Sequence, residues 1–371
     1  MATKHFKLAI FSALFVVLFV SCEDDDKVTT MPADEARQEI RDASKAISDE
    51  IEEMFTAPAV GVMDYFFYLV GEEPFDLKSF AKAGIEATPK NIIKNSEQFT
   101  FKHLELKTTK AEIDPIEDNG VYEYDFTQQG FVLENPDVNY LEFRFPADQI
   151  AYNNKQLNAV FRLEEILVAI DNYGDPIPTK IDFWLKVDEE TILSLLLDIQ
   201  LDNDYEPTSI SLELFVSPYI IEMSFSGDFD TSFTSTMSMK VNGSTLMSYS
   251  VNGTFVDGED SPEQLSGYIQ FTPIKFDGSV YPSAIENHFD QFEHEADLNI
   301  DYLNDQLNID VIQTEINGKI GHLEFFYGFM GNEPAKELHI IIVYSDDSWD
   351  FIEDAMSELS EWFDMFDDDW K

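Results

Sequence analysis

The chain has 371 residues, of which 44% are apolar and 14% aromatic, and its formal net charge is −50. Apolar content at that level excludes general disorder. A balance of 73 Asp and Glu against 23 Lys and Arg excludes nucleic-acid binding, which needs clustered cations, and repels anionic lipid headgroups.

The first residues carry a targeting pattern. Lys4 and Lys7 give a basic start, and Leu8 to Val20 is an almost unbroken apolar run of thirteen residues. That run is too short to span a bilayer but suits the core of a signal peptide. Ser21-Cys22 follows, then Glu23-Asp24-Asp25-Asp26. Cys22 is the single cysteine, so a disulfide within the chain, a Cys-based zinc site and any second thiol chemistry are excluded.

Phe19-Val20-Ser21-Cys22 resembles a bacterial lipobox, with Phe19 where Leu is usual. The resemblance implies cleavage before Cys22, lipidation of its thiol, and attachment to a membrane through that lipid. The acidic run after Cys22 resembles the export tag of surface-displayed lipoproteins, which implies an outer-membrane protein exposed at the cell surface. Loss of residues 1–21 removes Lys4 and Lys7 and leaves 350 residues with a net charge near −52.

Residues 22–32 read as an acidic, polar tether. A helical segment is expected over 33–98. In it Ala36, Ile40, Ala43, Ile47, Ile51 and Met54 form one apolar stripe, and Pro58 ends that helix. Val60 to Val70 is apolar nearly all round and predicts a buried helix.

From Phe99 the period changes to two. Tyr122, Tyr124 and Phe126 alternate with polar residues, as do Leu141, Phe143 and Phe145. The same alternation returns in 181–187, 193–201 and 210–216. One buried and one wet face mark an antiparallel sheet. Asn-Gly pairs starting at Asn119, Asn242, Asn252 and Asn317 predict tight hairpin turns.

An internal repeat runs through this region. Lys186-Val187-Asp188, Thr191 and Ser194 match Lys240-Val241-Asn242, Thr245 and Ser248. One inserted residue later, Asp202, Pro207 and Ser217-Pro218 match Asp257, Pro262 and Thr272-Pro273. A weaker third copy runs from Ile316-Asn317-Gly318 through Glu333-Pro334 to Ser345. Each copy predicts a strand, a tight turn, a long strand, an acidic loop and a returning strand. Ser283 to Asp297 is expected to contain a helix. A C-terminal helix is expected on the stripe Trp349, Ile352, Met356, Leu359, Phe363 and Phe366.

The expected fold is α+β: a large antiparallel β-meander of duplicated hairpin units packed against N-terminal and C-terminal helices. The sheet region and its C-terminal helix, 99–371, are expected to form one globular unit with 33–98. A wide curved sheet holding helices in its concavity resembles the lipoprotein-carrier fold in outline. That likeness rests on architecture and on no motif, so it implies no activity.

The chemistry is sparse. His288 and His294 lie six residues apart and share no helix face, and His103, His322 and His339 sit in strand-like runs. There is no zinc-binding histidine spacing, no Gly-x-Ser-x-Gly elbow and no phosphate-cradling glycine loop. Asp202, Asn203, Asp204 and Glu206 place oxygens closely in one loop, but Pro207 stands where an EF-hand needs glycine. The looser groups at Asp257, Glu259 and Asp260, and at Asp228 and Asp230, read as solvated turns. No catalytic residue, metal site or cofactor is assigned. Trp184 and Phe215 lie on the polar phase of their strands and are the candidate ligand-binding residues, unless a helix or loop covers them. The expected role is that of a non-enzymatic surface lipoprotein binding a glycan, an apolar ligand or a protein partner. Carriage of an apolar molecule and carboxylate-based hydrolysis are the alternatives.

Overall fold

A computed structural model describes residues 29–71, 104–105, 112–113, 119–170, 176–228, 231–256, 261–292, 294–329 and 336–357. The lipobox and Cys22, the histidine at 103, the acidic group 257–260 and the chain after 357 lie outside these residues. The chain divides into two compact units. One comprises Met1–Ile51, Gly227–Thr236 and Thr245–Lys371, and the other comprises Glu52–Ser226 and Met237–Ser244. Among the described residues no helix is long and apolar enough to cross a membrane.

A short strand β1 (Thr29–Thr30) leads into helix α1 (Ala33–Phe55). All six residues of the expected stripe are buried, from Ala36 to Met54. Thr56 and Ala57 break the helix, and Pro58 starts helix α2 (Pro58–Val70) rather than merely ending α1. Proline suits a first helical turn because its missing N–H has no partner there anyway. Gly71 closes α2 in the left-handed conformation at φ 97°. The expectation that α2 is buried all round holds for Ala59, Met63, Phe66, Phe67, Leu69 and Val70. Tyr68 is 65% exposed, so one polar-tipped edge of the helix faces outward.

The rest is a large antiparallel sheet. A two-stranded ribbon, β2 (Leu104–Glu105) with β3 (Glu112–Ile113), is separate from it. In the second unit the strands are β4 (Gly120–Asp125), β5 (Gly130–Asn135), β6 (Leu141–Phe145), β7 (Ala159–Ile170), β8 (Pro176–Val187), β9 (Glu190–Leu201), β10 (Pro207–Val216) and β11 (Tyr219–Asp228). Each pairs with the next except at one point: β6 leaves the β4–β5 hairpin and lies parallel to β4. A short helix α3 (Gln149–Asn154), capped by Asp148, follows β6. From β6 to β11 the path is a pure meander.

The core of this unit is aromatic. Phe66 of α2 is fully buried, and its ring centroid lies 5.0 Å from Phe145, 5.2 Å from Phe161, 5.3 Å from Phe143 and 6.1 Å from Phe131. The inward residues of β8, β9 and β10 are those of the sequence alternation: Ile181, Phe183, Leu185, then Leu193 to Ile199, then Ile210 to Val216. Burying a side chain of this size is worth about 1.5–3 kcal/mol, so register is strongly fixed.

Strand β12 (Ser232–Val241) contributes its first half to the first unit and its second half to the other. The first unit continues with β13 (Ser244–Thr254), β14 (Gln264–Phe271) and β15 (Ile274–Val280), then helix α4 (Pro282–Asp290), a 3-10 turn (Glu295–Asp297) and helix α5 (Ile300–Asn304). Strands β16 (Leu307–Gln313), β17 (Gly318–Gly328), β18 (Glu337–Tyr344) and β19 (Trp349–Phe351) and helix α6 (Ile352–Ala355) complete it. Neighbouring strands are antiparallel, and β1 lies parallel to the start of β17. Arg37 of α1 is fastened to this unit: its Nε donates to Asp350 at 2.8 Å, its Nη2 donates to Ser348 at 2.8 Å, and the guanidinium lies 4.5 Å from the Tyr344 ring centroid.

The duplication is visible in the backbone. Strands β9–β10–β11 and β13–β14–β15 follow the same sequence of turn, loop and turn. Asp188 and Glu189 enter β9 at φ 49° and 71°, and Asn242 and Gly243 enter β13 at 50° and 82°. Ser217 N–H donates to Ile192 O at 2.9 Å, and Thr272 N–H donates to Leu246 O at the same distance. Ser217-Pro218 and Thr272-Pro273 are both cis.

Three expectations change. Asn119 precedes β4 and is not a hairpin turn, and Asn252-Gly253 lies inside β13. Gly253 is there because a Cβ would stand 2.2 Å from the Phe233 ring, so the glycine makes room for an aromatic on the next strand. Trp349 belongs to a strand, not to the C-terminal helix. The Asp346–Ser348 turn returns the chain so that Trp349 faces Val343 and Phe351 faces Ile341, and Trp349 packs 4.9 Å from Phe326.

Candidate functional site

Outward-facing residues of the second unit fall into rows that cross the strands. In register, Glu142 of β6 faces Arg162 of β7, which faces Trp184 of β8, then Ser194 of β9, Phe215 of β10 and Ile220 of β11. The two aromatics singled out from the sequence therefore stand on one row. With strands about 4.8 Å apart, two strand steps place them roughly 10 Å apart, with Ser194 between them.

A neighbouring row holds Glu165, Asp182, Leu196, Glu213 and Glu222. Both rows share a face because their members are two residues apart on each strand, except in β7. There the register shifts between Leu163 and Glu165, so Glu164 and Glu165 together oppose one partner position. This bulge turns two successive glutamates toward the same side, which simple alternation does not foresee.

One end of the first row is locked by ion pairs. The Glu142 side chain is only 1% exposed although it points away from the aromatic core. Arg144 Nε donates to its Oε1 at 2.7 Å, and Arg162 Nε donates to its Oε2 at 2.7 Å. Arg144 also donates to Glu123 at 2.9 Å, and Arg162 reaches Glu164 at 3.3 Å. The pairing with Glu142 and Glu123 holds the Arg144 guanidinium above its usual range, and for Arg162 the same attraction outweighs the cost of burial.

Trp184 is built into this network. Its Nε1–H donates to Glu164 at 2.9 Å, the Arg162 guanidinium lies 4.8 Å from its ring centroid, and Lys186 Nζ lies 4.3 Å away. Arg162 also sits 4.1 Å from the Tyr140 ring. The indole is half-buried by charged side chains of its own sheet face. Phe215 is also half-buried, while Leu196 beside it is 45% exposed.

The second row is acidic and incompletely neutralised. Lys180 pairs with Glu165 at 2.6 Å, and Lys240 with Glu222 at 2.5 Å. Burial pushes the Asp182 carboxyl above the usual range, with the charge of Glu164 adding to it. Glu213 directly faces Glu222, a like-charge pairing that costs stability.

The other candidates are local. Asp202 Oδ1 accepts the backbone N–H groups of Asp204 at 2.8 Å and Glu206 at 2.9 Å, so this carboxylate is occupied in shaping its own loop. Among the described residues no group of three His, Cys, Asp or Glu side chains is placed to hold a metal ion. His322 is hydrogen-bonded to Glu324 at 2.9 Å on β17, and His339 packs 4.9 Å from the Phe351 ring. His288 of α4 accepts the Asn299 N–H at 3.0 Å, and burial holds its pKa below the usual value. Among the described residues none of these joins a nucleophile or a second acid in a cleft.

The sequence reading missed the Glu142–Arg162 network. Its signal was present as Glu142, Arg144, Arg162 and Glu164 at two-residue spacing on the polar phase, but the pairing of β6 with β7 is needed to join them. The chain matches no protein-family model, no curated protein and no solved structure.

Proposed function

We propose that this protein is a non-enzymatic lipoprotein of the outer membrane, anchored through Cys22 and displayed at the cell surface, which binds a partner on the outward face carrying Trp184 and Phe215. The single observation that carries the binding reading is the cross-strand row from Arg162 through Trp184 and Ser194 to Phe215 and Ile220. Apolar side chains on the wet side of a meander are out of place for folding alone. The anchor reading rests on the lipobox-like Phe19-Val20-Ser21-Cys22 and the acidic residues after it.

Two facts weigh against the alternatives. The space between α2 and its sheet is filled by Phe66 and the four phenylalanines around it, which leaves that core without room for an apolar cargo. Glu142 and Glu123 are tied up in ion pairs with arginines, so they are not free to serve a substrate.

The anchor is tested by labelling cells with radioactive palmitate. Incorporation is expected in the full chain and not in Cys22→Ala; label persisting in the variant would remove the anchor. Protease added to intact cells is expected to cleave the displayed protein, and resistance would mean an inward-facing attachment.

A further inference from the structure

We infer that the face carrying Trp184 and Phe215 docks a basic, amphipathic polypeptide segment in extended conformation. The inference rests on the reading of that face as a binding surface and names its occupant.

Two adjacent rows define the chemistry. One carries three apolar side chains, Trp184, Phe215 and Ile220 on three strands, with the small Ser194 between the first two. The other offers the exposed Glu213, with the exposed Leu196 beside it, while Asp182 is half-buried and Glu222 is held by Lys240. Rows two residues apart along a strand are separated by roughly 6.8 Å. A segment lying along the rows sends alternate side chains to either side, apolar ones over the first row and cationic ones over the second. Such a partner needs a period of two, with Lys or Arg on one phase.

Charge selects this occupant over others. The mature chain near −52 repels a second copy of itself and any acidic macromolecule, and it steers a basic one. The Glu213–Glu222 confrontation weakens the sheet, and among the described residues only Glu222 is relieved, by Lys240 and by Ser238 at 3.0 Å. Glu213 makes no ion pair among the described residues, which leaves its charge for an incoming cation. A neutral sugar is served less well. The indole N–H of Trp184 is committed to Glu164, so it is not offered to a sugar hydroxyl.

The test uses the mature chain and three capped ten-residue peptides, alternating Lys with Phe, Lys with Ser, and Glu with Phe, alongside a panel of neutral oligosaccharides. Isothermal titration is expected to show binding of the Lys–Phe peptide alone, weakening at least fivefold between 50 and 300 mM salt, about as expected for a few released charges. Glu213→Lys, at an exposed position that leaves folding intact, should weaken it about tenfold, and Phe215→Ser at least fivefold. Ser279→Lys, on β15 of the other unit, should leave it within twofold. Equal binding of the Lys–Ser peptide, or insensitivity to both Glu213→Lys and Phe215→Ser, would overturn the inference. An oligosaccharide that binds with dependence on Phe215, while the Lys–Phe peptide does not, would replace the peptide with a glycan and keep the face. No ligand depending on Phe215 would remove the binding face as well.

Discussion

At the scale of single residues, Glu142 is the most consequential side chain of the outward face. It is a buried carboxylate whose two oxygens each hold a different arginine. Removing one member of such a group leaves unpaired charge in a dry place, at a cost of about 3–5 kcal/mol. Glu142→Gln keeps the shape and loses the charge, so a destabilisation of about 2–3 kcal/mol is expected in urea unfolding. A double-mutant cycle with Arg162→Met should give a coupling above about 1 kcal/mol, and additive effects would show that the pair is decorative. His288 makes a second prediction. Its folded pKa lies below the usual histidine value of 6.5 because burial disfavours the cation, and its Nε2 lone pair is used by Asn299. The unfolded chain therefore takes up the proton more readily. The His288 contribution is fully present above pH 6.5 and is lost as pH falls from there. Unfolding free energy measured at pH 7.5 and pH 5.5 should fall more in the wild type than in His288→Gln, and equal falls would contradict this.

At the scale of elements, the two hairpin copies offer an internal comparison. The turn into β13 uses Asn242-Gly243 and the turn into β9 uses Asp188-Glu189, all four with positive φ. Left-handed backbone costs a non-glycine residue roughly 1 kcal/mol, least for Asn and Asp. Transplanting the second copy's turn as Asp188→Asn with Glu189→Gly should stabilise the protein by about 1 kcal/mol. A loss of stability on thermal melting would mean that Glu189 makes a contact worth more than the strain.

The same elements show what was legible in the chain. The apolar stripe of α1, the period of two from β8 to β10, and the repeat with its paired turns could all be read, because each is a local pattern fixed by burial. Asn252-Gly253 misled because its glycine answers to Phe233 on a neighbouring strand. Trp349 misled because it stands three positions before Ile352, a helix-like step, while the Asp346–Ser348 turn places it in a strand. Trp184 and Phe215 were readable as out-of-phase aromatics. Their shared row depends on the pairings of β8 with β9 and β9 with β10, and the paired glutamates of β7 depend on a bulge. Non-local register carries no signal in a single strand.

At the scale of the whole molecule, charge dominates. Self-repulsion at −50 favours the expanded chain, so added salt should raise the melting temperature. Calcium and magnesium at equal concentration should raise it alike. A rise specific to calcium and lost in Asp202→Asn would mean that the 202–206 loop is a true cation site. On this acidic surface the neighbourhood of Trp184 gathers two cations, Arg162 and Lys186, against one aromatic ring.

We propose that this face meets a partner at the cell surface. This is tested most directly by placing a photocrosslinking amino acid at position 194, between Trp184 and Phe215, in cells carrying the full chain, with position 279 on β15 as control. Adducts are expected from position 194 and not from 279, lost when Phe215→Ser is added and lost when Cys22→Ala prevents anchoring. Adducts of equal yield from both positions, or none from position 194, would contradict the account.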